Sequence, residues 1–329
     1  MALCREYEIF LMPDLHTTPG GQNPDWHSDN MTGVPQFWHF RIFQEQIRDL
    51  WRAIAERYKE EPFLLGYDLL NEPFLMPKKE GVLNAFLEEV TKAVREVDPN
   101  HIIFIEGDFF SMDFTDIRLP RDEQTALTFH FYPTVWDKDL MNKDYDAAER
   151  IRKMDEQLGG FAALRDTFNR PALCGEAGVD IKKEDLPFTM QLLDETLGLF
   201  QKHSLSWTLW SYKDAQWMGL AYPGSHTGWM KLASRIREKW SHYGQMQIAD
   251  EIMEEMGRRY TGPISRELKY ELQFQLRGVL YRMEEEYILK PALQEFTRDE
   301  IMAMPESFRF ENCEFYEEYR ELLKRYSWK

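Results

Sequence analysis

The sequence predicts an α/β fold of the (β/α)8-barrel type, on three observations. Short apolar runs alternate with amphipathic helical stretches. Polar and aromatic residues collect at the C-terminal ends of those runs: His16, Asn71, Glu72, His130, Tyr132, Glu176 and Trp210. No glycine-rich nucleotide turn follows any run, which disfavours a doubly wound sheet. Alternating βα units imply a parallel sheet buried on both faces. In a barrel of this type the C-terminal rim of the strands carries the functional site.

The elements follow in order. The run 9–12 reads as a strand ending in Asp14-Leu15-His16, and a loop rich in Gly, Pro, Asn and Asp covers 17–35. Phe43, Ile47, Leu50, Trp51, Ile54 and Tyr58 then recur at helical spacing. The apolar run 63–70 is the next strand, ending in Asn71-Glu72 and stopped by Pro73. Phe86, Val90, Ala93 and Val97 mark a helix closed by Asp98-Pro99-Asn100. Strands over 102–105 and 126–129 end in Glu106-Gly107-Asp108 and in His130. Ala147, Ile151, Met154 and Leu158 suit a helix closed by Gly159-Gly160. The strand 172–175 ends in Glu176, a helix carries Leu192, Leu193, Leu197 and Phe200, and the strand 206–209 ends in Trp210. Counting the C-terminal helices as the last helix, these make six strand–helix repeats. From about Gly224 the chain becomes rich in Glu, Arg, Lys and Met. The expected organisation is therefore a catalytic barrel domain over 1–223 and a helical segment over 224–329 packed on it.

The chain has 329 residues, 43% hydrophobic and 29% charged, enough for a sizeable core. Its net charge of -17 argues against nucleic acid and anionic membrane surfaces as partners, because phosphate binding needs clustered Lys and Arg. A neutral sugar is compatible with that charge. Ten tryptophans supply flat apolar faces for a substrate as readily as they fill a core. Cys4, Cys174 and Cys313 make no metal or redox spacing and read as free thiols, which favours a reducing, cytoplasmic setting. No run of 18 apolar residues is present, so no membrane span is expected.

Glu72 and Glu176 each end a different apolar run, and two glutamates at two strand tips are what glycoside hydrolysis requires. In a retaining mechanism the two carboxyls stand about 5–5.5 Å apart, one as acid/base and one as nucleophile. Taken singly, Glu72 is equally a loop glutamate before a proline, and Glu176 a rim carboxylate in an ion pair. His130 and Tyr132 can bind a sugar hydroxyl and orient a nucleophile, or pack as a satisfied histidine and a core ring. Trp210 suits a stacking platform or a core position. His16, with Gln22 and Asn23 behind Pro19-Gly20-Gly21, makes a polar loop near the same rim. A metal-dependent barrel hydrolase built on Asp14, His16, Glu72, His130 and Glu176 is the competing chemistry. It lacks the spacing of a metal motif, so neither a metal nor an organic cofactor is expected.

These motifs together resemble glycoside hydrolase family 5, the cellulase family of clan A retaining glycosidases. The matching segments are Asp14-Leu15-His16-Thr17-Thr18-Pro19-Gly20-Gly21-Gln22-Asn23, Leu69-Leu70-Asn71-Glu72-Pro73, His130-Phe131-Tyr132, Cys174-Gly175-Glu176-Ala177-Gly178 and Leu209-Trp210-Ser211-Tyr212-Lys213-Asp214. They appear in the family's order over about residues 1–220. The resemblance implies Glu72 as acid/base after strand 4 and Glu176 as nucleophile after strand 7. It places His16, Asn71, His130, Tyr132 and Trp210 in the sugar subsite beside the scissile bond. The implied substrate is an oligosaccharide, a polysaccharide or a β-glucoside. Ala177 stands where the family commonly has phenylalanine. The Asp14-Leu15-His16 segment ends strand 3 in such enzymes, and residues 1–7 are too few for two preceding βα units. The resemblance thus implies a barrel lacking its first two units and the strand-2 arginine, with a catalytically impaired sugar-binding fragment as the alternative.

Overall fold

The computed structural model describes residues 1–133, 137–240, 245–260, 262 and 264–326. In chain order its main elements are α1 (Ala2–Glu6), α2 (Arg41–Tyr58), β1 (Gly66–Asp68), α3 (Val82–Arg95), β2 (Ile102–Glu106), β3 (Thr125–Phe131), α4 (Ala147–Phe168), β4 (Ala172–Ala177), α5 (Leu186–Lys202), β5 (Ser206–Trp207), β6 (Ala221–Pro223), α6 (Gly228–Trp240), α7 (Gln245–Arg259), α8 (Arg266–Glu284), β7 (Cys313–Phe315) and α9 (Glu317–Tyr326). The first five strands form a sheet in the order β1-β2-β3-β4-β5, and β6 and β7 form an antiparallel pair. This is the parallel βα architecture expected of the barrel class. The chain divides into two compact units. One contains Met1–Phe129, Phe168–Pro171 and Tyr243–Met283; the other contains His130–Thr167, Ala172–His242 and Glu284–Lys329.

In the first unit β1 runs parallel to β2, with Tyr67 opposite Ile103, and β2 runs parallel to β3, with Ile105 opposite Leu127. These strands are almost wholly buried: β2 is apolar up to Glu106, whereas β1 also buries Asp68 and β3 also buries Thr125, Thr128 and His130. Gly66 is required by the close pairing: a Cβ there would lie 2.2 Å from the Ile102 carbonyl oxygen. Helix α2 buries Ile47, Trp51 and Ala55, one turn apart on a single face. Its Trp51 indole N–H donates to the Leu69 carbonyl at 2.9 Å, tying the helix to the end of β1.

The expected strand over 9–12 is reduced to two isolated parallel bridges, Leu11 to Leu64 and Asp14 to Asp68. Two causes are visible. Pro13 faces the same neighbour as Leu11 and Leu15 but has no N–H to add to the ladder. The β1 side also has one residue more between the two bridges, so the register slips as at a bulge. The run 63–70 is shared accordingly: Leu64 and Leu65 pair with residue 11, while residues 66–68 pair with β2.

Asp98, just beyond α3, is fully buried. Its Oδ2 accepts from the Tyr67 hydroxyl at 2.6 Å and from His101 Nδ1 at 2.6 Å, and its Oδ1 accepts from the Asn100 N–H at 2.9 Å. Burial pushes its carboxyl up, but these donors together hold it below the ordinary aspartate value. A depressed carboxyl stabilises the fold above the unfolded value, about pH 3.9, and loses that contribution as pH falls through the folded value. Asp98→Asn is therefore expected to cost about 1.5–3 kcal/mol at pH 7, with the deficit shrinking as pH drops below about 4. Urea midpoints of both proteins at pH 7 and pH 3 check this; a deficit that does not shrink counts against it.

In the second unit β4 and β5 are parallel, with Cys174 opposite Trp207. Met154 and Leu158 of α4 and Leu193, Leu197 and Phe200 of α5 are buried. Helix α9 joins this unit through the Tyr326 hydroxyl, which donates to the Asp194 carbonyl at 3.1 Å. The helical C-terminal stretch is divided between the units: α7 lies in the first, as does α8 up to Met283, and residues from Glu284 lie in the second. No helix of the described residues is long and apolar enough to cross a membrane. All three cysteines are free, and burial pushes the Cys174 thiol well up, out of the reactive range.

Candidate active site

The first unit carries His16, Asn71 and Glu72. Glu72 follows β1 in the left-handed region, at φ 49, with its side chain largely buried. A bulky non-glycine residue holds that conformation only when its surroundings impose it. Here they do. The Glu72 N–H donates to Glu106 Oε2 at 2.6 Å, and its carbonyl accepts from Asn23 Nδ2 at 3.0 Å. Gln22 Nε2 donates to the Asn71 and His16 carbonyls, each at 2.9 Å. The Gln22 carbonyl in turn accepts from the Phe74 N–H at 3.0 Å and the Trp38 indole at 2.7 Å.

Gln22 and Asn23 are thus a fully buried backbone clamp behind the strand end. The glycines before them let the clamp form. Gly21 has φ +70, and a Cβ there would meet Asn30 at 2.7 Å.

Asn71 Nδ2 lies 3.4 Å from His16 Nε2, and His16 Nδ1 lies 2.8 Å from Asp14 Oδ2. The tautomer with the proton on Nδ1 satisfies both contacts, Nδ1 donating to Asp14 and Nε2 accepting from the Asn71 amide. Asn71 Oδ1 is buried and, among the described residues, has no hydrogen-bond partner. It is a spare acceptor beside Glu72. Sequence reasoning assigned no role to two neighbours of this set. Glu106 receives the Glu72 N–H, and His27 Nε2 lies 3.3 Å from Glu72 Oε2. Glu106 ends a strand and could have been found by that rule; His27 lies inside the 17–35 loop, where no periodicity marks it. Asp14, Asp68 and Glu106 also place one oxygen each within 4.8 Å of one another.

The second unit carries His130, Tyr132, Glu176 and Trp210. His130 is in β3, Tyr132 follows it, and Glu176 is the penultimate residue of β4. The Tyr132 hydroxyl donates to Glu176 Oε2 at 2.7 Å, and His130 Nδ1 is 3.6 Å from the same oxygen. The rim histidine and tyrosine therefore converge on the second glutamate. Trp210 is tied to the end of β4: its N–H donates to the Ala177 carbonyl at 2.8 Å. Gly178 permits this approach, because a Cβ there would sit 2.7 Å from the Trp210 carbonyl oxygen. Ala177 itself is completely buried.

The profile of the cellulase family, described as cellulase (glycosyl hydrolase family 5), matches residues 2–216. A β-xylosidase of Phanerodontia chrysosporium is 29% identical over 94% of this chain and 71% of its own length. An endoglycoceramidase of Hydra vulgaris is 29% identical over 56% of this chain but only 33% of its own length. Among solved structures, endoglucanase Cel5A of Thermotoga maritima superposes on 56% of this chain and 63% of its own, with a TM-score of 0.48 and 21% identity. The chain belongs to the cellulase family, glycosyl hydrolase family 5, and is therefore a glycoside hydrolase.

Proposed function

We propose that the protein is a retaining β-glycosidase that hydrolyses O-glycosidic bonds of β-glucans or β-glucosides by double displacement. Glu176 attacks the anomeric carbon, and Glu72 protonates the departing glycosidic oxygen. Glu72, now a carboxylate, then takes a proton from water, which displaces Glu176 and releases the sugar with its configuration retained. Asn71 Oδ1 accepts a sugar hydroxyl next to the reacting carbon, His16 holds the Asn71 amide, and Trp210 stacks on the ring. The observation that carries the assignment of roles is the Tyr132 hydroxyl donated to Glu176 at 2.7 Å. A phenol donor on one carboxylate oxygen orients the other for attack and stabilises the ionised form that a nucleophile needs. The name of one relative, a β-xylosidase, supports a β-glycoside as substrate.

The test uses aryl β-glucosides, β-xylosides and β-cellobiosides. Proton NMR of early product is expected to show the β-anomer first. A 2-deoxy-2-fluoro glycosyl fluoride of the preferred sugar is expected to label the peptide that contains Glu176. An α-anomer formed first, or a label on another residue, overturns the assignment.

A further inference from the structure

We propose that His27 is a positioning residue for the Glu72 carboxyl, and that helix α8 of the C-terminal segment holds it there. This rests on Glu72 being the acid/base.

His27 Nε2 lies 3.3 Å from Glu72 Oε2, with 22% and 10% of the two side chains exposed. A ring nitrogen at that distance is within ion-pair reach of one oxygen of the carboxyl. It therefore fixes the rotamer and the facing oxygen of the acid. The ring is itself confined: its centroid lies 6.0 Å from that of Phe110 and 6.1 Å from that of Trp26.

The backbone under His27 is a short 3-10 turn, Trp26–Ser28, capped by Asp25, whose Oδ1 accepts the Trp26 N–H at 2.8 Å. The other Asp25 oxygen meets Arg277 Nη2 of α8 at 3.1 Å, in a pair with only 13% and 7% of the side chains exposed. Asp25 thus caps the turn with one oxygen and anchors it to α8 with the other. Two glycines bring the backbones together on either side of this pair. A Cβ on Gly278 of α8 would lie 2.7 Å from the Met31 carbonyl oxygen, and one on Gly33 would lie 2.6 Å from the Phe274 carbonyl oxygen. Phe274 belongs to an aromatic cluster with Phe74 and Phe110, which follow the ends of β1 and β2. The route from α8 to the carboxyl is therefore continuous: Arg277, Asp25, the 26–28 turn, His27, Glu72.

The experiment is a leaving-group series on the full chain. For the aryl β-glycoside turned over best, kcat/KM is measured with phenyl, 4-nitrophenyl and 2,4-dinitrophenyl leaving groups, for the wild type and for His27→Ala, His27→Gln, Asp25→Asn and Arg277→Leu. Poor leaving groups need the acid and good ones need it less. His27→Ala is expected to lower kcat/KM about 100-fold for the phenyl glycoside, with a loss at least about tenfold smaller for the dinitrophenyl glycoside. Asp25→Asn and Arg277→Leu are expected to show the same tilt at about tenfold, and His27→Gln to recover part of the loss. An equal loss across leaving groups, or a phenyl loss under about twofold, overturns the proposal. If His27→Ala does not fold, His27→Gln is read against the same criteria. A wild type inactive on every aryl glycoside refutes the glycosidase reading instead. The His27–Glu72 contact is then read by nitrogen-15 NMR, where Glu72→Gln is expected to move the His27 Nε2 resonance. An unmoved resonance overturns the contact itself.

Discussion

Replacing Glu176 by glutamine is expected to lower kcat by about 10,000-fold or more, the loss of about 5.4 kcal/mol of transition-state stabilisation. The amide keeps the shape of the side chain and the Tyr132 contact, but it has no charge to attack the anomeric carbon. Glu72→Ala is expected to behave differently, because the two glutamates have different jobs. Its kcat/KM falls by about 100- to 10,000-fold for poor leaving groups and much less for activated ones. Azide then restores turnover by attacking the glycosyl-enzyme without base assistance, and the product is the β-glycosyl azide. With Glu176→Ala, azide replaces the nucleophile itself and yields the α-glycosyl azide. A Glu176→Gln protein within tenfold of wild type, or the two azide products exchanged, sinks the assignment.

The second large effect concerns stability. Arg150 of α4 is almost completely buried and forms a two-pronged pair with Glu195 of α5, Nε to Oε2 and Nη2 to Oε1, each at 2.8 Å. The Glu195 hydrogen bond holds the guanidinium above its ordinary value, so it stays charged under all working conditions. Arg150 also lies over the Phe188 ring at 5.5 Å, and Gln191 donates to Glu195 Oε1 at 2.9 Å. Arg150→Met leaves a carboxylate with too few donors in a desolvated place. A loss of about 3–5 kcal/mol is expected, measured as a fall in urea stability. The double variant Arg150→Met, Glu195→Leu should recover most of it, because replacing both charges by apolar groups removes the desolvation cost as well as the attraction. A single variant within about 1 kcal/mol of wild type refutes this.

Strand ends were readable because the rule behind them is local. Polar or aromatic residues gather where an apolar run ends, so Glu72, His130, Glu176 and Trp210 are marked by their neighbours in the chain. Helix α2 was readable for the same reason, since Ile47 and Trp51 repeat with the helical turn. The strand over 9–12 was overread. Its apolar pattern is genuine, but Pro13 and a slipped register leave only two bridges, and pairing partners are not written in a local pattern. Likewise, Gln22 and Asn23 looked like a polar loop, whereas they are the buried clamp on the Asn71 and Glu72 carbonyls.

The sequence by itself determined the class of architecture, through short-range periodicity, and the family, through the motif segments that resemble it; it marked the glutamates and their aromatic and imidazole neighbours as candidates, because each sits beside an apolar run. The tertiary structure alone decided what holds each carboxyl. The left-handed backbone of Glu72 is imposed by Glu106 and Asn23, the Tyr132 hydroxyl is aimed at Glu176, and Arg277 reaches back to Asp25 beneath His27. The reason is physical. A hydrogen bond or ion pair between residues tens to hundreds of positions apart depends on where the fold brings the chain back, and no local preference of either residue encodes that return.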